Sequence, residues 1–114
     1  MTPSPPPNAA IAELANGLGD EDARELVGMF LNSFEPTLHA LGGPDREEQR
    51  RAAHSLKSSA RIVGMMELSG LMSELENRLA KPDGAVSPTD IDSARQKFAR
   101  LAPALLAFAG AAGR

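Results

Sequence analysis

Arg50-Arg51-Ala52-Ala53-His54-Ser55-Leu56-Lys57-Ser58-Ser59-Ala60-Arg61-Ile62-Val63 is the stretch whose reading decides the fold. On an α-helix, at about 100° per residue and with His54 at the origin, Ala52, Leu56, Ser59, Ala60 and Val63 fall within roughly 50° of the opposite pole. They form an expected core stripe of small and medium side chains. Arg50, Arg51, Lys57, Ser58 and Arg61 lie within about 60° of His54 itself. The histidine is therefore expected at the solvent pole of an amphipathic helix, inside a cluster of four cations that contains no carboxylate.

Working outward, Asp45 and Glu48 have the spacing of a capping box, so this helix is expected from about Asp45 to Val63, with Gly64 as its stop. Before it, Ala23, Leu26, Val27, Phe30, Phe34, Leu38 and Leu41 recur every three or four residues. That predicts a helix from Asp20 to about Leu41, kinked near Asn32 and Ser33 by Pro36. Asn8 can cap a short helix from Ala9 to about Asn16, ended by Gly17, with Ile11, Leu14 and Leu18 on its apolar face. Such a piece is too short to stand alone and should lie across one end of the bundle. After the central helix, Leu68, Leu71, Met72, Leu75 and Leu79 predict a helix from about Glu67 to Lys81. Ser87-Pro88-Thr89-Asp90 starts the last one, with Ile91, Ala94, Phe98, Leu101, Leu105 and Phe108 as its core face and a bend at Pro103.

No segment alternates like a strand, and the loops between long helices are short, so neighbours should run antiparallel. The expected fold is all-α: an up-down antiparallel four-helix bundle with a short N-terminal helix capping one end. Residues 1–8, rich in proline, are expected to be a disordered arm, residues 9–110 the bundle, and residues 111–114 a frayed terminus.

Composition agrees with packed helices. Apolar residues make up 42% of the chain but aromatics only 4%, with Ala, Leu and Met dominant. A length of 114 residues suits one domain. The lack of cysteine excludes a disulfide scaffold and a thiolate metal site. No apolar run approaches the ~18 residues of a membrane span, and the N-terminus does not read as a secretory signal, so a cytoplasmic protein is expected. A net charge of −3 argues against a general nucleic-acid binder. Within this acidic chain, the basic segment 50–61 suits a small anionic group or an acidic protein face.

A lone surface histidine is by default a solvated side chain. Here the cations around it disfavour the imidazolium, which biases His54 toward the neutral, nucleophilic form, and they would stabilise an attached phosphoryl group. Ser55 and Ser58 are small and leave the ring approachable. Glu47 shares its azimuth but lies two turns away, so a hydrolase-type triad is poorly supported. His39 is read as a surface or half-buried side chain, and no spacing of the two histidines suits a metal site. The five methionines read most simply as core filler, with Met65 and Met66 as alternative members of a docking patch.

The run Ala53-His54-Ser55-Leu56-Lys57-Ser58-Ser59-Ala60 followed by Gly64 resembles the motif of histidine-containing phosphotransfer (HPt) domains. The resemblance continues through Leu68, Leu71 and Leu75-Glu76, and takes in the helix plan and the proline of the second helix. It implies a phosphocarrier of a two-component phosphorelay, not an enzyme, in which His54 accepts a phosphoryl group from a receiver-domain aspartate and passes it to another. By the same resemblance Lys57 would contact the phosphoryl oxygens. Response-regulator receivers and the receiver of a hybrid sensor kinase would be the partners, and the receiver would supply Mg2+, leaving this chain without a cofactor. Ser58 stands where the family usually has glycine and could donate a hydrogen bond to the phosphoryl group. Arg50, Arg51 and Arg61 would serve docking, and a monomer is expected. Two other classes compete. One is a non-phosphorylated adaptor that docks a receiver, supported by Ser58 alone. The other is the dimerisation domain of a sensor kinase, which normally has an acidic residue where this chain has Ser55.

Overall fold

The computed structural model describes residues 4–110, so the outer arm (residues 1–3) and the C-terminal residues 111–114 lie outside the described residues. Five α-helices follow in order: α1 Ala9–Leu18, α2 Asp20–Leu41, α3 Arg46–Ile62, α4 Met66–Leu79 and α5 Pro88–Gly110. No strand occurs among the described residues. The four long helices form an elongated bundle, 52 Å by 21 Å by 19 Å. Helix α3 packs on α4 and α2, and α2 on α5, while α1 lies against the start of α2 and the end of α3.

The local signals explain most of these boundaries. Asp45 caps α3, its Oδ1 accepting the N–H groups of Glu47 at 2.9 Å and Glu48 at 3.3 Å. Ser87 and Asp90 form a reciprocal box at α5: Ser87 N–H donates to Asp90 Oδ2 at 2.8 Å, and Asp90 N–H donates to Ser87 Oγ at 3.2 Å. Pro36 sits inside a continuous α2 and Pro103 inside a continuous α5. Next to Pro36, the Thr37 hydroxyl donates to the Ser33 carbonyl at 2.8 Å.

Three boundaries differ from expectation. Helix α1 runs through Gly17 to Leu18, and the stop is Gly19, at φ +91°. Helix α4 begins one residue earlier, at Met66, and ends at Leu79, two short of Lys81. Arg46 clasps this end instead, donating to the carbonyl oxygen of Leu79, the last residue of α4, and to those of Lys81 and Gly84 in the turn beyond it.

The core runs the length of the bundle, from Ile11, Val27 and Phe108 at one end to Leu38, Leu41 and Leu79 at the other. Phe34 and Phe98 stack nearly parallel in its middle, ring centroids 3.7 Å apart. From α3 it takes Ala52, Ala53, Leu56 and Ala60, with Val63 from the C-cap just beyond, so the expected stripe is present with Ala53 added and Ser59 only half-buried. Leu18 and Leu101, expected on core faces, are exposed. The core-filler reading of the methionines holds for Met65 and Met72 and fails for Met29 and Met66, which face solvent.

Candidate functional site

His54 stands on the outer face of α3, its side chain 66% exposed. Helix α3 packs against α4, and Ala53 and Ala60 of the one and Leu68, Met72 and Leu75 of the other are buried in the core. The register of the two helices is fixed at one point by Ser69, a buried residue whose hydroxyl donates to the Lys57 carbonyl at 2.9 Å. Two turns further along α4, that register brings Glu76 beside His54.

Glu76 is the residue that wheel-based reasoning missed. His54 Nδ1 lies 2.8 Å from Glu76 Oε2, and Lys57 Nζ donates to Glu76 Oε1 at 2.6 Å. The expected cluster of cations without a carboxylate is therefore corrected, and the inference of a neutral ring from cations alone loses its premise. The wheel misses the partner because it lies 22 residues on, across a helix turn. The only signal for it in the sequence was the Leu75-Glu76 pair, which puts a carboxylate next to a core position of α4. The Lys57 ammonium, above all, holds the Glu76 carboxyl below its ordinary pKa; burial is the next largest effect and opposes it, and the His54 N–H adds a further, smaller lowering. An ionised carboxylate has no proton to donate, so Nδ1 must carry the hydrogen of this bond. In a neutral ring Nε2 is then the nitrogen with a free lone pair, at the far edge of an exposed imidazole.

The other candidate residues are spread along a ridge rather than gathered round the ring. From Arg50 to Arg61 the helix advances about 16 Å. Arg50 reaches toward Glu47, Nη1 to Oε2 4.0 Å. Arg51 borders a shallow concavity with Pro36, Thr37 and Ala40 of α2, whereas Arg61 borders another with Glu13 and Leu14 of α1. Ser55 and Ser58 are exposed beside His54. His39 is a surface residue at the opposite end of the bundle from α1, in a groove with Pro44, Ile91 and Arg95.

Beyond the ridge is an apolar surface that the sequence reading did not assign. A groove of about 240 Å³ runs between α2 and α3, lined by Leu26, Met29, Phe30, Ser33, Ser59, Ile62 and Val63. Ile62 also borders the concavity against α1, which continues the surface to Leu18. Met29, Ile62 and Leu18 are 61%, 47% and 49% exposed. Ile62 carried a signal, because it falls about 80° from His54 on the wheel, well outside the core stripe. Among the described residues no group of three or more His, Asp or Glu side chains could hold a metal ion. None of their helices is long and apolar enough to cross a membrane.

The family model described as "Hpt domain" matches residues 25–107, well over half of the chain, and the chain belongs to that family. No curated protein and no solved structure matches it. The match makes the chain a phosphotransfer-type domain of two-component signalling, in a family of phosphocarriers whose members interact with response-regulator receiver domains.

Proposed function

We propose that this chain relays phosphoryl groups through His54. The observation that supports the reading is the hydrogen bond from Nδ1 to Glu76, which leaves Nε2 as the nucleophilic edge of an exposed ring. In the proposed step the Nε2 lone pair attacks the phosphorus of a receiver's aspartyl phosphate. The P–N bond forms as the P–O bond to the aspartate breaks, and the aspartate leaves as a carboxylate. The Nδ1 proton stays on the ring, and Glu76 stabilises the positive charge that develops there. Transfer to a second receiver is the same step reversed. Mg2+ acts on the receiver's side, and this chain supplies a positioned imidazole without hydrolytic or ATP-dependent chemistry of its own.

Lys57, one turn from His54, would leave Glu76 to reach a phosphoryl oxygen or remain there as its anchor. Ser58, also one turn on, could donate a hydrogen bond to the phosphoryl group. Docking in this reading combines two elements. The groove around Met29 and Ile62 gives apolar area, and Arg50, Arg51 and Arg61 complement the acidic rim of a receiver's active site. The relay reading places the chain in the cytoplasm as a monomer. Profiling transfer from and to every receiver domain of the source cell tests the proposal. A few receivers exchanging phosphate with the chain much faster than the rest is the expected result; no exchange with any of them would leave the adaptor reading in its place.

A further inference from the structure

The chain has no cysteine, so its only sulfur atoms are the thioethers of five methionines. The fold sorts the four described ones sharply. Met65 and Met72 are 1% and 0% exposed, whereas Met29 and Met66 are 61% and 56% exposed. The two exposed ones differ in place. Met29 forms a wall of the α2–α3 groove together with Phe30, Ile62 and Val63, while Met66 opens α4 beside Glu67 and Arg100. A thioether contributes apolar, deformable surface, and its sulfoxide is polar and must be desolvated to enter an apolar contact.

We infer that Met29 is a reversible oxidation site, and that its sulfoxide weakens docking of a receiver domain in the α2–α3 groove. The inference rests on the docking role given to that groove above. The oxidant is a hydroperoxide. Its distal oxygen passes to the Met29 sulfur, the O–O bond breaks as the S–O bond forms, sulfur gives up two electrons, and the remainder of the hydroperoxide leaves as its alcohol, which is water for hydrogen peroxide. A dithiol reductase reverses the change, its thiols becoming a disulfide as the oxygen departs as water. His54, Lys57 and Glu76 take no part, so oxidation lowers affinity for the receiver and leaves the phosphoryl chemistry of the bound complex intact.

The test treats the full chain with dilute hydrogen peroxide. Peptide mass spectrometry follows each methionine, and receiver affinity and single-turnover transfer are measured before and after treatment. Each variant is compared with its own untreated sample. Met29 and Met66 should oxidise well ahead of Met65 and Met72. The parent should lose roughly tenfold in receiver affinity, with little change in the transfer rate at saturating receiver, and methionine sulfoxide reductase should restore it. Met29→Leu should keep its affinity through the same treatment, and Met66→Leu should lose affinity as the parent does. Equal losses in the parent and Met29→Leu, or an undiminished affinity once Met29 is oxidised, would overturn the proposal. Failure of the untreated parent to bind or exchange phosphate with any receiver would overturn the relay reading itself and the docking half of this inference with it. The order of methionine oxidation stands or falls on the mass spectra alone.

Discussion

In the proposed relay three side chains carry the chemistry at the residue scale, and only two of them are visible in the motif. His54 and Lys57 are one turn apart on one helix, which periodicity places without difficulty. Glu76 reaches them from another helix, and its position depends on how α3 and α4 slide against each other. No wheel drawn on a single element contains that information, which is why the carboxylate was missed. If Glu76 orients the ring, Glu76→Ala should stay folded, because the residue lies outside the core, and should slow transfer roughly tenfold through a misplaced nucleophile. Lys57→Ala and Glu76→Ala should be non-additive, since both act on one contact. Nitrogen NMR of the ring should show Nδ1–H in the neutral parent and lose that preference in Glu76→Ala. Acid gives a second check. The folded pKa of Glu76 is lowered, so the stability that the pairing contributes is present above the unfolded carboxyl pKa of about 4.3 and is lost as pH falls through the folded value. The Nδ1 contact should therefore persist from neutral pH down to the carboxylate range and disappear only below it. Its loss well above that range would mean that Lys57 does not hold the carboxylate ionised.

Among the elements, the short first helix is the one most dependent on a single residue. Asn8 caps α1 by accepting the Ile11 N–H at 2.9 Å, and its side-chain amide donates to the Val63 carbonyl at 3.0 Å, closing the end of α3. It packs over Gly64, which lies at φ +82° and whose position leaves no room for a Cβ: one would meet the Asn8 amide at 2.5 Å. Asn8→Ala should cost about 1–2 kcal/mol for the cap and the carbonyl it abandons. Gly64→Ala should cost at least about 1 kcal/mol from the left-handed backbone, with the displaced Asn8 added. Thermal unfolding measures both. A neutral Gly64→Ala would contradict the close approach. The same end is tied by Arg24, a buried charge that the sequence analysis does not single out. It donates to Asp20 at 2.7 Å and 3.2 Å, to the Phe108 carbonyl at 2.7 Å and to the Ser4 carbonyl at 2.7 Å, with its guanidinium 4.1 Å from the Phe108 ring centroid. Caps, turn glycines and hydrophobic repeats are local and were legible, so all five helices were found. Cross-chain clasps such as Arg46 and Arg24 depend on tertiary approach and could not be read from one segment.

Across the whole molecule, the all-α bundle follows from stripes of Ala, Leu and Phe with short connections, and the sequence contained all of these. Which apolar residues remain outside was only partly legible: the wheel sets Ile62 off the core stripe, but a stripe predicts the buried face and says nothing about a groove left between two helices. Met29 and Ile62 are the case in point, and they change the expected balance of docking forces from charge alone to charge around an apolar centre. Arg61→Glu should then slow association with a receiver and raise the salt sensitivity of what remains, while Ile62→Ser should speed dissociation. An affinity that falls steeply with salt and ignores Ile62 would put the weight back on the cations. The central claim is that His54 carries the phosphate, and the direct test is incubation of the parent and His54→Gln with a phosphorylated partner receiver. The account predicts an acid-labile, alkali-stable label on the parent and none on His54→Gln, with the helical content of the two unchanged because the ring lies outside the core. A label of equal strength on His54→Gln would contradict it.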